Sequence, residues 1–365
     1  MHEQLPLPPI SPSNVIPGVQ KVYLKTFGCS HNVSDSEFMM GQLVDYGYLL
    51  TDKPEESDII VLNSCTVKNP TQAALMRLVS DSQTLMKPVV VTGCVPQGDK
   101  KIDTLQSVSM LGVTQIDRVV EVVEETLKGN VVHLLEKKSL PTLDLPKIRK
   151  NRFIEIIPIN TGCLGNCTYC KTKHARGHLG SYKKEEIISR MLKAHAEGVK
   201  EIWMTSEDTG AYGLDINSNI SELLIEFVEA MPDDLMLRIG MTNPPYILEH
   251  LEVVDRVLNH PKVFGFLHVP VQSGSDTVLE RMNREYTAQD FKTVCAHLMD
   301  KCKQLTIGTD IICGFPGETD AEHELTLDLL KEFHIPVVNI SQFYPRPGTI
   351  AARMKQLDTK SRKIL

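Results

Sequence analysis

Three cysteines crowd one short stretch, Thr161-Gly162-Cys163-Leu164-Gly165-Asn166-Cys167-Thr168-Tyr169-Cys170. Their C-x3-C-x2-C spacing lets three thiolates converge on one face of an iron–sulfur cube, which four thiolates ordinarily hold. With only three local ligands, one iron stays open to chelate and reduce a small molecule. The bland alternative is a zinc knuckle completed by His174, but structural zinc sites close on four ligands, usually as two short pairs.

Three further cysteines lie far apart in the chain but in like surroundings: Thr26-Phe27-Gly28-Cys29, Leu62-Asn63-Ser64-Cys65 and Val91-Thr92-Gly93-Cys94. Each follows a short apolar run that reads as a strand: Val22–Thr26, Asp58–Asn63 and Pro88–Thr92. Helical spacing falls between and after them. Ser34–Tyr46 carries Ser34 as a cap with Glu37 three residues on, and Thr71–Ser82 and Val119–Leu127 follow. Strands alternating with helices predict a small α/β domain with a parallel sheet. The carboxyl ends of such strands share one edge, where ligands bind. Cys29, Cys65 and Cys94 can therefore meet there as a second three-thiolate site, with Gly28 and Gly93 permitting close backbone approach. Packed core cysteines are the alternative. Asn32, Asn63 and Gln97 either orient this site or cap the adjoining helices.

The elements behind the first cysteine loop repeat a strand–loop–helix unit. Strands are expected at Phe153–Ile159, Glu201–Thr205, Leu235–Met241, Val263–Val269, Thr306–Ile312 and Val337–Phe343. Helices are expected at Lys184–Ala196, Ile247–Leu258, Ala288–Lys301 and Ala321–Phe333. Six units fit a partial (β/α)6 barrel, whose chemistry sits at the carboxyl ends of its strands. Those ends are polar or glycine-rich. Glu207 follows the second strand, where a carboxylate suits the amino group of a bound amino acid, and Asn243 follows the third. Gln272 follows the fourth, and Asp310, Gly314 and Glu318 mark the fifth, whose glycines let backbone approach a flat ring.

Length and composition bound the rest. The 365 residues suggest about two domains. No apolar run approaches the ~20 residues of a membrane span, and the amino terminus lacks a basic region followed by an apolar one. Nine cysteines without such a signal argue against a disulfide framework. A net charge of −7 excludes binding nucleic acid over the whole surface, leaving local patches. Residues 1–20 hold five prolines and read as a disordered lead-in. The α/β domain takes 21–136. A basic stretch at 137–152 is a linker, either solvated or in contact with nucleic acid. The barrel takes 153–350.

On these motifs the chain resembles the radical S-adenosylmethionine (SAM) methylthiotransferases, in the archaeal and eukaryotic branch acting on threonylcarbamoyladenosine in tRNA. The carriers are Gly28-Cys29 with Asn32 and Asp35-Ser36-Glu37, Asn63-Ser64-Cys65-Thr66-Val67, and Gly93-Cys94-Val95-Pro96-Gln97. To these are added Gly162-Cys163 through His174-Ala175-Arg176-Gly177, Ser206-Glu207-Asp208-Thr209-Gly210, Gly240-Met241-Thr242-Asn243-Pro244, and Tyr344-Pro345-Arg346-Pro347-Gly348. The C-x3-C-x2-C alone is common to all radical SAM enzymes; the three-cysteine domain before it is specific to methylthiotransferases.

The resemblance implies two [4Fe–4S] clusters, held by Cys29, Cys65 and Cys94 and by Cys163, Cys167 and Cys170, with no catalytic residue beyond the cofactor ligands. The second cluster would chelate SAM and yield a radical that takes hydrogen from C2 of the modified adenine. The first would deliver the methylated sulfur. Tyr169 is the signature aromatic, Glu207 the contact to the SAM amino group and Arg284 the contact to its carboxylate, with a surface salt bridge as the alternative for Arg284. Gln272, Asp310, Gly314 and Glu318 complete the cofactor pocket. Lys171, Lys173, Arg176, Lys183 and Lys184 form an acid-free basic run, either suited to the phosphates of a tRNA anticodon loop or an ordinary solvated face, and Asn243 is a further substrate contact.

The partners implied are that tRNA, an electron donor and a sulfur source, for a monomer with no membrane contact from this chain. The expected place is the cytoplasm, or the endoplasmic reticulum where a carboxyl-terminal anchor follows. Thr205-Ser206-Glu207 stands where the wider family has Gly-Gly-Glu, and Asp310 replaces a family glycine. Residues 351–365 read as the start of a helix connecting to a basic TRAM domain that the chain does not reach. Two other activities remain: a related methylthiotransferase acting on a protein side chain, or a non-catalytic iron–sulfur or zinc protein.

Overall fold

The computed structural model describes residues 19–66 and 69–357. Most of the lead-in, Val67 of one quoted motif, and the last eight residues of the connecting segment lie outside the described residues. The chain packs as two compact units. The first takes the chain up to Lys150 together with His174–Arg176; the second takes 151–173 and 177 onward.

The first unit is built on β1 (Lys21–Thr26), α1 (Ser30–Tyr46), β2 (Leu49–Thr51), β3 (Ile59–Ser64), α2 (Asn69–Thr84), β4 (Val89–Gly93), α3 (Cys94–Gly98), β5 (Ser109–Leu111), α4 (Val119–Leu127) and β6 (His133–Leu134). Its six strands run parallel in the order β2-β1-β3-β4-β5-β6. Alternation explains why β3 and β4 are apolar throughout. Ile59, Val61 and Val90 face Phe38, Met39, Leu43, Val122 and Val123 of α1 and α4. Ile60, Leu62, Val89 and Val91 face Leu75 and Val79 of α2 on the other side. A sheet covered on both faces needs apolar residues at both parities.

The three strands expected here are present, and β2, β5 and β6 add to them. These two- and three-residue strands carry too little alternation to be read from sequence. The expected start of α1 moves: its N-cap is Cys29, not Ser34, which lies buried one turn inside. Glu37 forms no capping box. It accepts from the Lys150 amide at 2.8 Å and pairs with Lys147 at 3.3 Å, both side chains of that pair being buried. Lys147 also lies 4.5 Å over the Phe38 ring. In the basic stretch, Lys147 is thus a buried cation of the first unit and no contact for nucleic acid.

The second unit follows the order β7 (Ile154–Pro158), β8 (Asn160–Thr161), α5 (Thr172–Arg176), β9 (Gly180–Ser181), α6 (Lys184–Ala196), β10 (Glu201–Thr205), α7 (Ile220–Ala230), β11 (Met236–Arg238), α8 (Leu251–Leu258), β12 (Phe266–His268), α9 (Asp276–Arg281), α10 (Ala288–Lys301), β13 (Thr306–Cys313), α11 (Asp320–Phe333) and β14 (Val337–Gln342). The last three residues of α5 count with the first unit. Strands β7, β10 and β11 form one parallel sheet and β12, β13 and β14 another. A parallel bridge between Leu237 and Val263 joins them. Six strands in chain order make the partial barrel. The expected strands at Leu235–Met241 and Val263–Val269 shorten to three residues each, and α5, α7 and α9 are additions. The segment at Ile247–Leu258 opens with a 3-10 turn, Leu248–His250, before α8. Helices α10 and α11 each start at a threonine capping box, Thr287 with Asp290 and Thr319 with Glu322.

Candidate functional site

In the first unit, the loops after β1, β3 and β4 bring Cys29, Cys65 and Cys94 to one edge of the sheet. Cys65 and Cys94 are buried and Cys29 is exposed. Two glycines set how closely the loops approach. Gly28 has φ +100°, and a Cβ there would stand 2.5 Å from Cys65 Cβ and 2.7 Å from its sulfur. Gly93 has φ +88°, and its Cβ would meet Ser64 O at 2.4 Å. Any side chain would force these loops apart.

Asn32 ties the three loops together. Its Nδ2 donates to Phe27 O at 2.8 Å and to Ser64 O at 2.9 Å, and its Oδ1 lies 3.8 Å from Cys94 Sγ. Asn63 Nδ2 donates to Asn32 O at 2.8 Å. Both asparagines therefore orient the site rather than cap a helix. Gln97 donates instead to Leu135 O at 3.1 Å.

In the second unit, the 162–170 loop is held at many points. Gly162 has φ +78°, and its amide donates to Glu207 Oε2 at 2.9 Å. The Cys163 amide donates to Gly177 O at 3.3 Å and the Thr168 amide to Met282 O at 2.9 Å. Lys173 Nζ gathers Leu164 O, Gly165 O and Asn166 Oδ1 at 2.7, 3.0 and 2.8 Å. A Cβ on Gly165 would lie 3.8 Å from the Cys163 sulfur and 4.0 Å from the Cys167 sulfur, so both flank one spot. Tyr169 packs edge-on to Phe315, ring centroids 6.2 Å apart, and so roots the loop in the core. Burial pushes the Cys163 thiol up to about 12 and raises that of Cys170. Ligation must therefore displace protons here.

Beside this loop runs a polar chain. Arg284 donates to Cys167 Sγ at 3.0 Å, to the Tyr169 hydroxyl at 3.3 Å and to Asn243 Oδ1. Asn243 Nδ2 in turn donates to Asp208 Oδ2 at 2.6 Å. Asp208 is fully buried and accepts four hydrogen bonds, also from the amides of Gly210 and Asn243 and the Thr242 hydroxyl. Burial still pushes its carboxyl up to about 6. Asp208 was not among the expected site residues. Its only sequence signal is its place beside Glu207 at a strand end. Cys163, Cys167, Asn243, Tyr246, Arg284 and Tyr286 line one small cavity.

The remaining expected residues divide. Gln272 sits at φ +71°, an uncommon conformation for a side-chain-bearing residue, and its backbone bridges to Asp310 and Ile312. Asp310 accepts from His268 at 2.9 Å and Asn339 at 3.0 Å. Glu318 turns onto its own loop, where one oxygen accepts from Gly314 N at 2.6 Å and Phe315 N at 3.0 Å.

The basic run divides. Lys173 is committed to the cysteine loop. Lys184 pairs with Glu222 and Glu226 of α7 at 3.3 and 2.5 Å, acids close in space that the local sequence does not show. Arg176 is buried and paired with Asp35 at 2.6 Å, leaving no face for a phosphate. Lys171 is half-buried, with Nζ on Pro347 O at 2.8 Å, and Lys183 is exposed.

Among the described residues, no three His, Cys, Asp or Glu side chains converge closely enough to hold a single metal ion. A cube spreads its thiolates over separate irons, so its ligands need not converge on one point. No helix among the described residues is long and apolar enough to cross a membrane.

Residues 21–112 match the Uncharacterized protein family UPF0004, and residues 157–330 match the Radical SAM superfamily. The chain is 56% identical over 351 residues to the threonylcarbamoyladenosine tRNA methylthiotransferase of Xenopus laevis, covering 94% of this chain and 63% of that protein. It is 39% identical over 340 residues to the probable threonylcarbamoyladenosine tRNA methylthiotransferase of Pyrococcus horikoshii, covering 92% and 80%. The chain thus spans less than two thirds of the length of the first of these. Among solved structures, the radical S-adenosylmethionine methyltransferase TsrM from Kitasatospora setae, with cobalamin and a [4Fe-4S] cluster bound, shares the fold. The TM-score is 0.64 at 15% identity, over 91% of this chain and 77% of that one.

Proposed function

The chain belongs to the threonylcarbamoyladenosine tRNA methylthiotransferase family, and from that premise we propose that it transfers a methylthio group to C2 of N6-threonylcarbamoyladenosine beside the tRNA anticodon. The observation that carries the reading is the pair of three-cysteine sites, each at the carboxyl ends of parallel strands in its own unit. The donor sets fit iron–sulfur cubes. Gly28 lets its loop approach the Cys65 sulfur, Gly93 lets the Cys94 loop approach Ser64, and Gly165 leaves an open spot beside the sulfurs of Cys163 and Cys167.

When bound, the two [4Fe–4S] clusters and SAM supply what side chains cannot, the radical replacement of an unactivated aromatic C–H by C–S. The chain's own residues hold and orient. Cys163, Cys167 and Cys170 would ligate one cluster and Cys29, Cys65 and Cys94 the other. Glu207 holds Gly162 and with it the start of the barrel loop, a task beside the expected contact to the SAM amino group. Arg284 directs hydrogen bonds at the Cys167 sulfur, which lowers electron density on that ligand, and remains the candidate for the SAM carboxylate. Tyr169 and Phe315 fill the space behind the loop and exclude water, which would quench a radical. Gln272, Asp310, Gly314 and Glu318 shape the neighbouring strand ends. Lys171, half-buried, and Lys183, exposed, are the cations of the basic run left to reach phosphate, and Asn243 the candidate contact to the base.

The reading includes a tRNA anticodon loop as substrate, an electron donor, a sulfur source and a monomeric enzyme. A cytoplasmic place suits nine cysteines that form no disulfide among the described residues; an anchor further along the full-length protein would set it at the endoplasmic reticulum.

The test separates the two cysteine sets in the full-length protein. Reduced Cys65→Ala enzyme should still cleave SAM to 5′-deoxyadenosine yet make no methylthiolated nucleoside on tRNA, whereas Cys167→Ala should do neither. Methylthiolated product from Cys65→Ala enzyme would overturn the assignment of sulfur delivery to the first unit.

A further inference from the structure

Arg176 is the one member of the basic run that is both buried and committed to the first unit. It stands six positions after Cys170 in sequence, and His174–Arg176 packs as part of the α/β unit. Its Nη2 donates to Asp35 Oδ2 at 2.6 Å and to Asn32 Oδ1 at 2.8 Å. Asn32 is the residue that ties the three cysteine loops through Phe27 O and Ser64 O and touches Cys94 Sγ. The two distances at Asn32 Oδ1 bound the guanidinium nitrogen to within 6.6 Å of the Cys94 sulfur. Asp35, Asn32 and Arg176 are all buried.

A buried guanidinium is costly unless it is paired and hydrogen-bonded. Here the guanidinium is paired and hydrogen-bonded through Nη2, and its geometry has a second effect. Asn32 could rotate its amide and exchange oxygen for nitrogen. Two carbonyls demand the nitrogen on one side, and Arg176 demands the oxygen on the other. The amide is fixed, and the carbonyls of Phe27 and Ser64, each next to or near a cysteine, are fixed with it.

We propose that Arg176 and Asp35 are positioning residues of the amino-terminal three-cysteine site, locking Asn32 and setting the charge felt at Cys94 and hence the reduction potential of the cluster bound there. The inference rests on the reading of Cys29, Cys65 and Cys94 as cluster ligands. It assigns Arg176 a role other than phosphate binding. It also explains why a basic residue shortly after the second cysteine set is buried rather than solvated.

The charge argument makes two single substitutions act in opposite directions. Arg176→Met removes a cation and leaves the Asp35 carboxylate, so the reduced cluster is disfavoured and its potential falls. Asp35→Asn removes the anion and leaves the guanidinium, so the potential rises. A unit charge at this range in a buried setting changes the reduced-to-oxidised ratio by roughly tenfold to a hundredfold, which is about 60–120 mV for a one-electron couple.

The experiment uses the full chain with Cys163, Cys167 and Cys170 changed to Ala, so that any cluster signal comes from the first unit. Iron content and an electron paramagnetic resonance redox titration are measured without further change, with Arg176→Met and with Asp35→Asn. Expected is about four irons in the parent and shifts of opposite sign in the two variants. Arg176→Lys, which keeps the charge but not the fork, should hold the potential nearer the parent while broadening the signal. A parent that binds no iron refutes the cluster reading itself. A parent that binds iron, with both variants unshifted or shifted the same way, refutes the role of Arg176 and Asp35 alone.

Discussion

Alanine at Gly162 tests whether backbone close packing, rather than cysteine spacing alone, forms the barrel site. Gly162 has φ +78°, and a Cβ there would stand 2.0 Å from His178 O and 2.5 Å from its carbonyl carbon. Those are backbone atoms and cannot swing aside as a flexible side chain would. The left-handed conformation costs a non-glycine residue about 1–2 kcal/mol, and forcing extra volume into a packed site adds about 1–3 kcal/mol. Gly198 offers an internal control in the same unit: φ +93°, with nothing within 4 Å of its Cβ position. Gly198→Ala should therefore show the conformational cost without the clash. Trp203, the sole tryptophan, lies on β10 and makes its fluorescence a reporter of the second unit. In urea titrations Gly162→Ala should lose about 2–5 kcal/mol and Gly198→Ala about 1–2 kcal/mol. Iron bound by the reconstituted protein should fall towards half in the first variant only, because Cys163 is displaced along with its neighbour. Equal losses in the two variants, with full iron in both, would show that the His178 carbonyl yields freely and that the argument is wrong.

Two further outcomes follow from buried charge. Arg190 and Glu155 form a fully buried two-point pair at 3.0 and 3.1 Å. Arg190→Met alone should cost about 3–5 kcal/mol, while Arg190→Met with Glu155→Leu should recover most of it, as read by the same fluorescence; a double variant no better than the single one rules out the unpaired carboxylate as the cause. Asp208, pushed up to about 6 by burial, keeps a proton in the folded chain between roughly pH 4 and 6 that the unfolded chain has released. Its contribution to stability therefore falls as pH rises through that window and is level above it. The difference in unfolding free energy between the natural protein and Asp208→Asn should change by roughly 3 kcal/mol across the window, and a difference independent of pH would refute the raised value.

Some features were determined by the sequence alone. Both three-cysteine sets, the alternating α/β order and most element positions could be read from it, with Lys184–Ala196, Glu201–Thr205, Ala288–Lys301 and Val119–Leu127 found at their expected bounds. These rest on local signals: spacing, period and caps act over a few residues and are written in the chain. What only the tertiary structure decided is which charges have partners and which backbones touch. Lys184 and Arg176 look acid-free in sequence because their acidic partners stand far away along it. Glu222 and Glu226 reach Lys184 from α7, and Asp35 meets Arg176 from a helix 141 residues earlier. Asp208 and Glu207 are neighbours of one type, yet folding buries the first among four donors and sets the second on the Gly162 amide. Electrostatic environment is a property of space, and it comes into being only when strands and loops remote in sequence close around a group.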